Sequence, residues 1–446
     1  MSQATHPDGA PSQLTSPLAS ESASAESQPA SHSRFSLAAY GALGLPLAMS
    51  ALPVYVQIPA YYSTHLGLAL AGTGWVLFLA RLIDTVQDPW LGRCIDRLQG
   101  RQLNLWLIVG ALLLVLAFAG LWLPQVSGGY LTLWLAVMLV VAYTAHSMLN
   151  IAYLAWGAKL GQEQQLLGAA GWREGAGLLG VIVASVLPSA IMNLPREALS
   201  HGFAWYSLAF ALFVALALTA LLRGAPRWHK APSSTLSWSQ ALQLMRQNTA
   251  FTRLLWPYSL NAISVAIPAT LALFFINDRI GAPQWAGAFL AAYFIAAALG
   301  LPIWVRIAKV RGVLCTWRLG MLLAILSFCG ASLLGQGDTT AYLLVCIAAG
   351  LALGADLALP PVLLARLIPD DQAAATYYGV WTLLGKLALA LSGLALPLLA
   401  ILGYTPGAPA GAELAWVYAG LPCLFKLLAL VMLRSGLTNN LKEQTP

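Results

Sequence analysis

The stretch "RLIDTVQDPWLGRCIDR", Arg81 to Arg97, poses the question that decides the fold. It continues an apolar run long enough to cross a bilayer, which takes roughly 20 residues. Yet it carries Arg81, Asp84, Asp88, Arg93, Asp96 and Arg97, in a chain of which only 9% is charged. An ionised group at bilayer depth costs roughly 2.5–3.5 kcal/mol or more, so each needs a partner or a use.

The surrounding chain is that of a polytopic α-helical membrane protein. Hydrophobic residues make up 59% of 446 positions, and the mean hydropathy is +0.73. Apolar runs fall at 35–61, 70–95, 104–124, 131–158, 173–194 and 203–223. After the polar stretch Arg223–Gln247 they resume at 250–276, 284–308, 313–335, 340–367, 375–403 and 412–434. The short alternating segments of a membrane β-barrel are absent. The spacing predicts about twelve transmembrane helices in two six-helix bundles, residues 35–223 and 249–435. A linker at 224–248 joins them, and tails occupy 1–34 and 436–446. The first tail is rich in Ser, Ala, Pro and Gln. It lacks the basic and apolar regions of a signal peptide and reads as disordered.

Arg97, Arg101, Lys159, Arg223, Arg227, Lys230, Arg306, Lys309, Arg311 and Arg318 fall in loops or helix ends on one side, with Arg434 and Lys442. The other side has chiefly Arg196 and Arg279. The basic side is expected in the cytoplasm, with both termini and the linker. That topology accounts for the net charge of +7. No basic tract is interleaved with aromatics, so no nucleic-acid partner is expected. The five cysteines form no CxxC pair and read as small core residues. No cofactor is expected.

The two halves are weakly alike. "LPVYVQIPAYYSTHLG" (Leu52–Gly67) and "AISVAIPATLALFFINDRIG" (Ala262–Gly281) both carry an Ile-Pro step and end in Gly after a polar patch. Related halves rocking about a midplane site are the plan of many secondary transporters.

Asp84 and Asp88 stand four apart and share a helix face. Two carboxylates there repel unless a cation or a proton lies between them, or unless Arg81 or another base pairs with them. Lys386 lies about ten residues into an apolar run, too deep to snorkel. Its candidate partners are Asp84, Asp88 and Asp356. Lys426 lies nearer a helix end and is expected to snorkel. "AYTAHSMLNIAYLAWGAK" (Ala142–Lys159) sets Thr144, His146, Ser147 and Asn150 among apolar residues. Ser147 and Asn150 can face one cavity, while His146 alone reads as a packed residue. Arg173 and Glu174 in "GWREGAG" read as an interface pair. Asp96 and Arg97 are expected to latch two helices at the cytoplasmic side. HExxH, GxSxG and phosphate-binding loops are absent, so the chain is not expected to be an enzyme.

Together these pieces resemble the glycoside–pentoside–hexuronide cation symporters, the melibiose permease-like family of the major facilitator superfamily. "ARLIDTVQDPWLGRCIDR" (Ala80–Arg97) resembles that family's second-helix signature. "YTAHSMLNIAY" resembles its fourth-helix motif and "YYGVWTLLGKLALAL" its eleventh. The resemblance implies a monomeric transporter of the cell inner membrane, moving a small molecule, most often a sugar, with Na⁺ or H⁺. It implies that Asp84 and Asp88 bind the cation, as candidate Na⁺ ligands, with Gln87 and Ser147 assisting. It places Arg173 and Lys386 at the substrate cavity, to which Asn150, Asp356 and Trp381 are added. Gly41–Ser50 lacks the helix-one acid of the galactoside carriers, and Asn150 stands at their helix-four acid. A proton-driven exporter or lysolipid transporter of the same fold is the alternative, and a polytopic membrane enzyme a remoter one.

Overall fold

The computed structural model describes residues 34–98, 100–157, 163–225, 243, 245–367, 374–408 and 411–436. The two tails and most of the linker lie outside the described residues, as does Lys159. All regular structure among the described residues is helical.

Twelve crossings follow in order. α1 is built from Arg34–Gly41, Gly44–Val56 and Ile58–Ala60, then the π-helical turn Tyr61–His65. α2 is Leu70–Arg97, α3 Arg101–Trp122, α4 Tyr130–Gly157, α5 Glu163–Met192 and α6 Arg196–Gly224. α7 is Thr249–Phe274, continued by the π-helical turn Phe275–Ile280. α8 is Ala286–Arg311, α9 Val313–Ser332 and α10 Thr339–Leu367. α11 combines Ala374–Ser392 with Ala395–Ile401. α12 combines Ala412–Ala415, the π-helical turn Trp416–Gly420 and Leu421–Gly436. Each crossing falls on an expected apolar run. α5 starts earlier than expected because the polar segment Glu163–Gln165 extends it past its apolar stretch.

Eleven of the described helices are long and apolar enough to cross a membrane by length and composition alone. α2 is the exception. At 28 residues it is about 42 Å long at ~1.5 Å per residue, but its charges lower its hydropathy. The helices are apolar on both sides. On α3, Leu107, Leu114, Phe118 and Leu121 are buried, while Leu105, Leu112 and Leu116 are exposed. A helix surrounded by lipid has no polar face to present.

The weak repeat in the sequence has a structural counterpart. α1 and α7 both end in a π-helical turn. Each is followed by a glycine of positive φ, Gly67 at 73° and Gly281 at 70°. That left-handed conformation favours glycine, which has no Cβ to clash.

The bundles α1–α6 and α7–α12 meet through α2 on α11, α5 on α8 and α1 on α7. Their tightest approaches lie at the end opposite the basic loops. A Cβ on Gly74 would fall 2.4 Å from Pro397 Cδ and 2.6 Å from the Gly393 carbonyl oxygen. A Cβ on Gly287 would fall 3.1 Å from Val186 Cα. Asn193 Nδ2 donates to the Pro283 carbonyl at 2.9 Å, joining α5 to the turn before α8. One apolar core runs through both bundles there. Towards the basic end the second bundle keeps a separate core around Phe251, Trp317, Leu359 and Leu433. The molecule is therefore closed at one end and parted at the other.

Candidate functional site

Three charges of α2 meet near the middle of the helix, between the two bundles. Arg81, Asp84 and Asp88 recur at helical spacing and share one side of α2. Asp84 is 2% exposed. Its Oδ1 accepts from Ser147 Oγ of α4 at 2.9 Å and from Gln87 Nε2 at 3.4 Å. Its Oδ2 lies 3.4 Å from Arg81 Nη1 and 3.1 Å from Lys386 Nζ of α11. Lys386 also donates to Asp88 Oδ2 and to Ser147 Oγ, the latter at 3.1 Å. Thr144 Oγ1, one turn before Ser147, donates to Gln87 Oε1 at 2.9 Å. Asp88 Oδ1 is buried without a hydrogen-bond partner among the described residues.

The structure thus brings together Asp84, Asp88, Gln87, Ser147 and Lys386. Of the three acids open to Lys386, it takes the two on α2. Arg81 is added to the cluster, and its guanidinium lies over the Tyr143 ring at 4.1 Å. Two carboxylates therefore face two cations, one from their own helix and one from the other bundle. α2 continues through Pro89 to Arg97. Proline has no N–H to donate to the carbonyl one turn earlier, that of Thr85.

A cavity of about 40 Å³ lies behind the cluster, lined in part by Ser50, Arg81, Tyr143 and His146. That is room for a water among polar partners. His146 Nδ1 is 3.1 Å from Ser50 Oγ. The Ser50 hydroxyl already donates to the Leu47 carbonyl at 2.8 Å. The direction of the hydrogen bond between His146 and Ser50 is set by the imidazole tautomer.

Other expected residues lie elsewhere. Asp356 was expected at the cavity, but it is enclosed in the second bundle. Its Oδ2 accepts from Lys426 Nζ at 2.6 Å and its Oδ1 from Trp317 Nε1 at 2.9 Å. With both oxygens engaged, it is withdrawn from the set that could meet a substrate. The same pair corrects the reading of Lys426, which is 3% exposed and does not snorkel. Burial demands a counter-ion, and Asp356 supplies it. Trp381 is buried, its ring stacked on Tyr258 with centroids 3.4 Å apart. Arg173 bonds Glu174 at 2.7 Å. Asn150 is half-buried one turn beyond Ser147. Arg97 ends α2 and is exposed. The Asp96 side chain, and with it the expected latch, lies outside the described residues.

Sequence reasoning missed the roles of Thr144, Tyr143 and Tyr258. Thr144 carried a usable signal, standing three residues before Ser147. The aromatic contacts carried none.

Residues 37–435 match the family described as MFS/sugar transport protein. The chain is 22% identical over 255 residues to the inner membrane symporter YicJ of Escherichia coli (strain K12). The alignment spans 55% of each chain, about half the length of that relative. Among solved structures, the nucleoside transporter NupG superposes with a TM-score of 0.69 at 14% identity, covering 90% of this chain and 98% of that one. A bacterial homologue of the human lysosomal transporter Spinster, inward-facing and unoccupied, superposes at 0.62 and 16% identity. It covers 91% of this chain and 96% of that one. At such identities these structures speak for the fold.

Proposed function

The chain belongs to the MFS/sugar transport protein family and is a multi-pass membrane transporter; we propose that it is a cation-coupled symporter of a sugar or glycoside. Its coupling site is Asp84 and Asp88, assisted by Gln87 and Ser147. Its substrate chamber lies between the bundles, bordered by Asn150, Arg173, Lys386 and the wall that Trp381 supports. The basic loops face the cytoplasm, so the structure is the inward-open state, with the opposite end sealed.

The observation that carries this reading is Lys386. Its ammonium crosses from one bundle to the acids of the other. Arg81 rides on the same helix as the acids and offsets one negative charge. The second needs a positive charge from Lys386 or from an incoming Na⁺ or proton. A cation settling on Asp88, with hydroxyl and amide oxygens from Ser147 and Gln87, releases Lys386 and unties the bundles. Hard cations favour such oxygen ligands. Binding that differs between two states is what shifts their balance.

The test is uptake into proteoliposomes with a panel of glycosides, driven by a Na⁺ or a proton gradient. Asp88→Asn is expected to abolish cation-driven accumulation. Accumulation with unchanged cation dependence in that variant would sink the assignment.

A further inference from the structure

A second cavity, of about 310 Å³, lies between the bundles at the closed end, beyond the seal. Its walls come from α1 and α5 of one bundle and from α7, α8 and their joining turn in the other. Thr64, His65, Asn193, Asn277 and Asp278 all line it. Thr64 and Asn277 sit on the paired π-helical turns that end α1 and α7.

Part of the hydrogen-bonding capacity of this cavity is unspent. The Asp278 Oδ2 atom accepts from the Tyr404 hydroxyl and from the Gly407 N–H. Its Oδ1 has no partner among the described residues. The Asn193 amide nitrogen is used on Ser189 and Pro283, and its oxygen is not. Thr64 and the Asn277 amide likewise have no hydrogen-bond partner among the described residues. The unused groups are richer in acceptors than in donors, and they include one carboxylate. Burial, and next the charge of Arg196, hold the His65 imidazole below its usual range, so it is neutral at pH 7. The carboxylate disfavours an anion. A compound carrying several hydroxyl donors fits the set. Met192 and Leu273 add an apolar flank for its carbon skeleton.

We propose that this cavity is an outer binding site for a polyhydroxyl compound, a sugar or polyol, and that its occupancy holds the outer end shut. The proposal rests on the transporter reading for which face is outer. Because both bundles build the walls, separating them at this end takes the site apart. A ligand held by both halves therefore favours the closed arrangement.

The experiment is a melting-temperature titration of the purified full chain with methyl β-D-xyloside, methyl β-D-galactoside and sorbitol. It uses the Asp84→Asn/Asp88→Asn background, which disables the central cluster. At least one probe is expected to raise the melting temperature saturably. Asn277→Leu and Thr64→Val, made separately on that background, are each expected to weaken the apparent Kd at least tenfold. Both positions are only partly buried or exposed, and an unliganded melting temperature near the parent's checks folding. No rise with any probe, or unchanged affinity in both variants, overturns the proposal. Failure of the coupling reading shows separately, as cation-driven uptake surviving Asp88→Asn.

Discussion

Replacing Lys386 by methionine removes the positive charge that joins the two bundles and leaves Asp84 and Asp88 facing Arg81 alone. Lys386 Nζ lies 3.1 Å from Asp84 Oδ2. At that distance two unit charges attract by about 5 kcal/mol for an effective dielectric of ~20. Desolvation offsets much of this. Lys386 and Asp88 are 19% and 21% exposed, so water screens their pair in part. A coupling energy of about 0.5–3 kcal/mol between contacting charges is what such clusters give. The assay is a double-mutant cycle on melting in detergent: wild type, Lys386→Met, Asp88→Asn and the double variant. Each single change is expected to destabilise, because one charge is left without its partner. The double variant is expected to be more stable than Lys386→Met, because the cluster is again neutral. Effects that add within ~0.5 kcal/mol would refute the assignment of Asp88 as the partner of Lys386.

Other consequences are as direct. Asp356→Leu or Lys426→Met alone is expected to cost about 3–5 kcal/mol, and the two together much less, since an apolar pair can replace a buried ion pair; thermal melting reads both. Gly74→Ala sets a Cβ 2.4 Å from Pro397 Cδ and is expected to force α2 from α11 at the closed end. A cysteine introduced by Ser392→Cys, buried beside the Gly393 contact, should then react faster with an impermeant maleimide, and an unchanged rate would count against the seal. Ser147→Ala removes a donor to Asp84 and an acceptor for Lys386. A hydrogen bond to a charged group contributes ~1.5–3 kcal/mol, so half-saturation by the driving cation should shift roughly tenfold or more.

The sequence showed the fold for a simple reason. A chain crossing lipid must satisfy its backbone within each helix, so run length alone marks most crossings. α2 was the instructive case. Hydropathy by itself passes over it, and it was legible because its charges recur at helical spacing beside an apolar run. The same high cost of buried charge singles out Asp84, Asp88 and Lys386 in the sequence. It could not assign partners. Lys386 and Lys426 are both deep lysines, and Asp84, Asp88 and Asp356 are all deep acids. Which meets which depends on how helices from different parts of the chain lie together. Asp356 was therefore placed with the substrate when its partner was Lys426. The stack of Tyr258 on Trp381 and the π-helical turns were hidden for a related reason, since they arise from packing and leave no pattern of residue types.

The two buried ion pairs in the membrane show why one suits coupling and the other does not. Asp356 and Lys426 lie in the same bundle and, with Trp317 on the second oxygen, fill each other's needs. Nothing that moves one bundle against the other disturbs them. Lys386 and the acids of α2 lie in different bundles, and Asp88 keeps one buried oxygen unspent. Rocking the bundles must stretch or break that contact, and the acids then need a replacement charge. A cation that supplies it makes the movement affordable, and without one the movement strands a carboxylate in a medium that penalises it heavily. Under the proposed mechanism, coupling would follow from which side of the moving interface each charge occupies, more than from the identity of the ion.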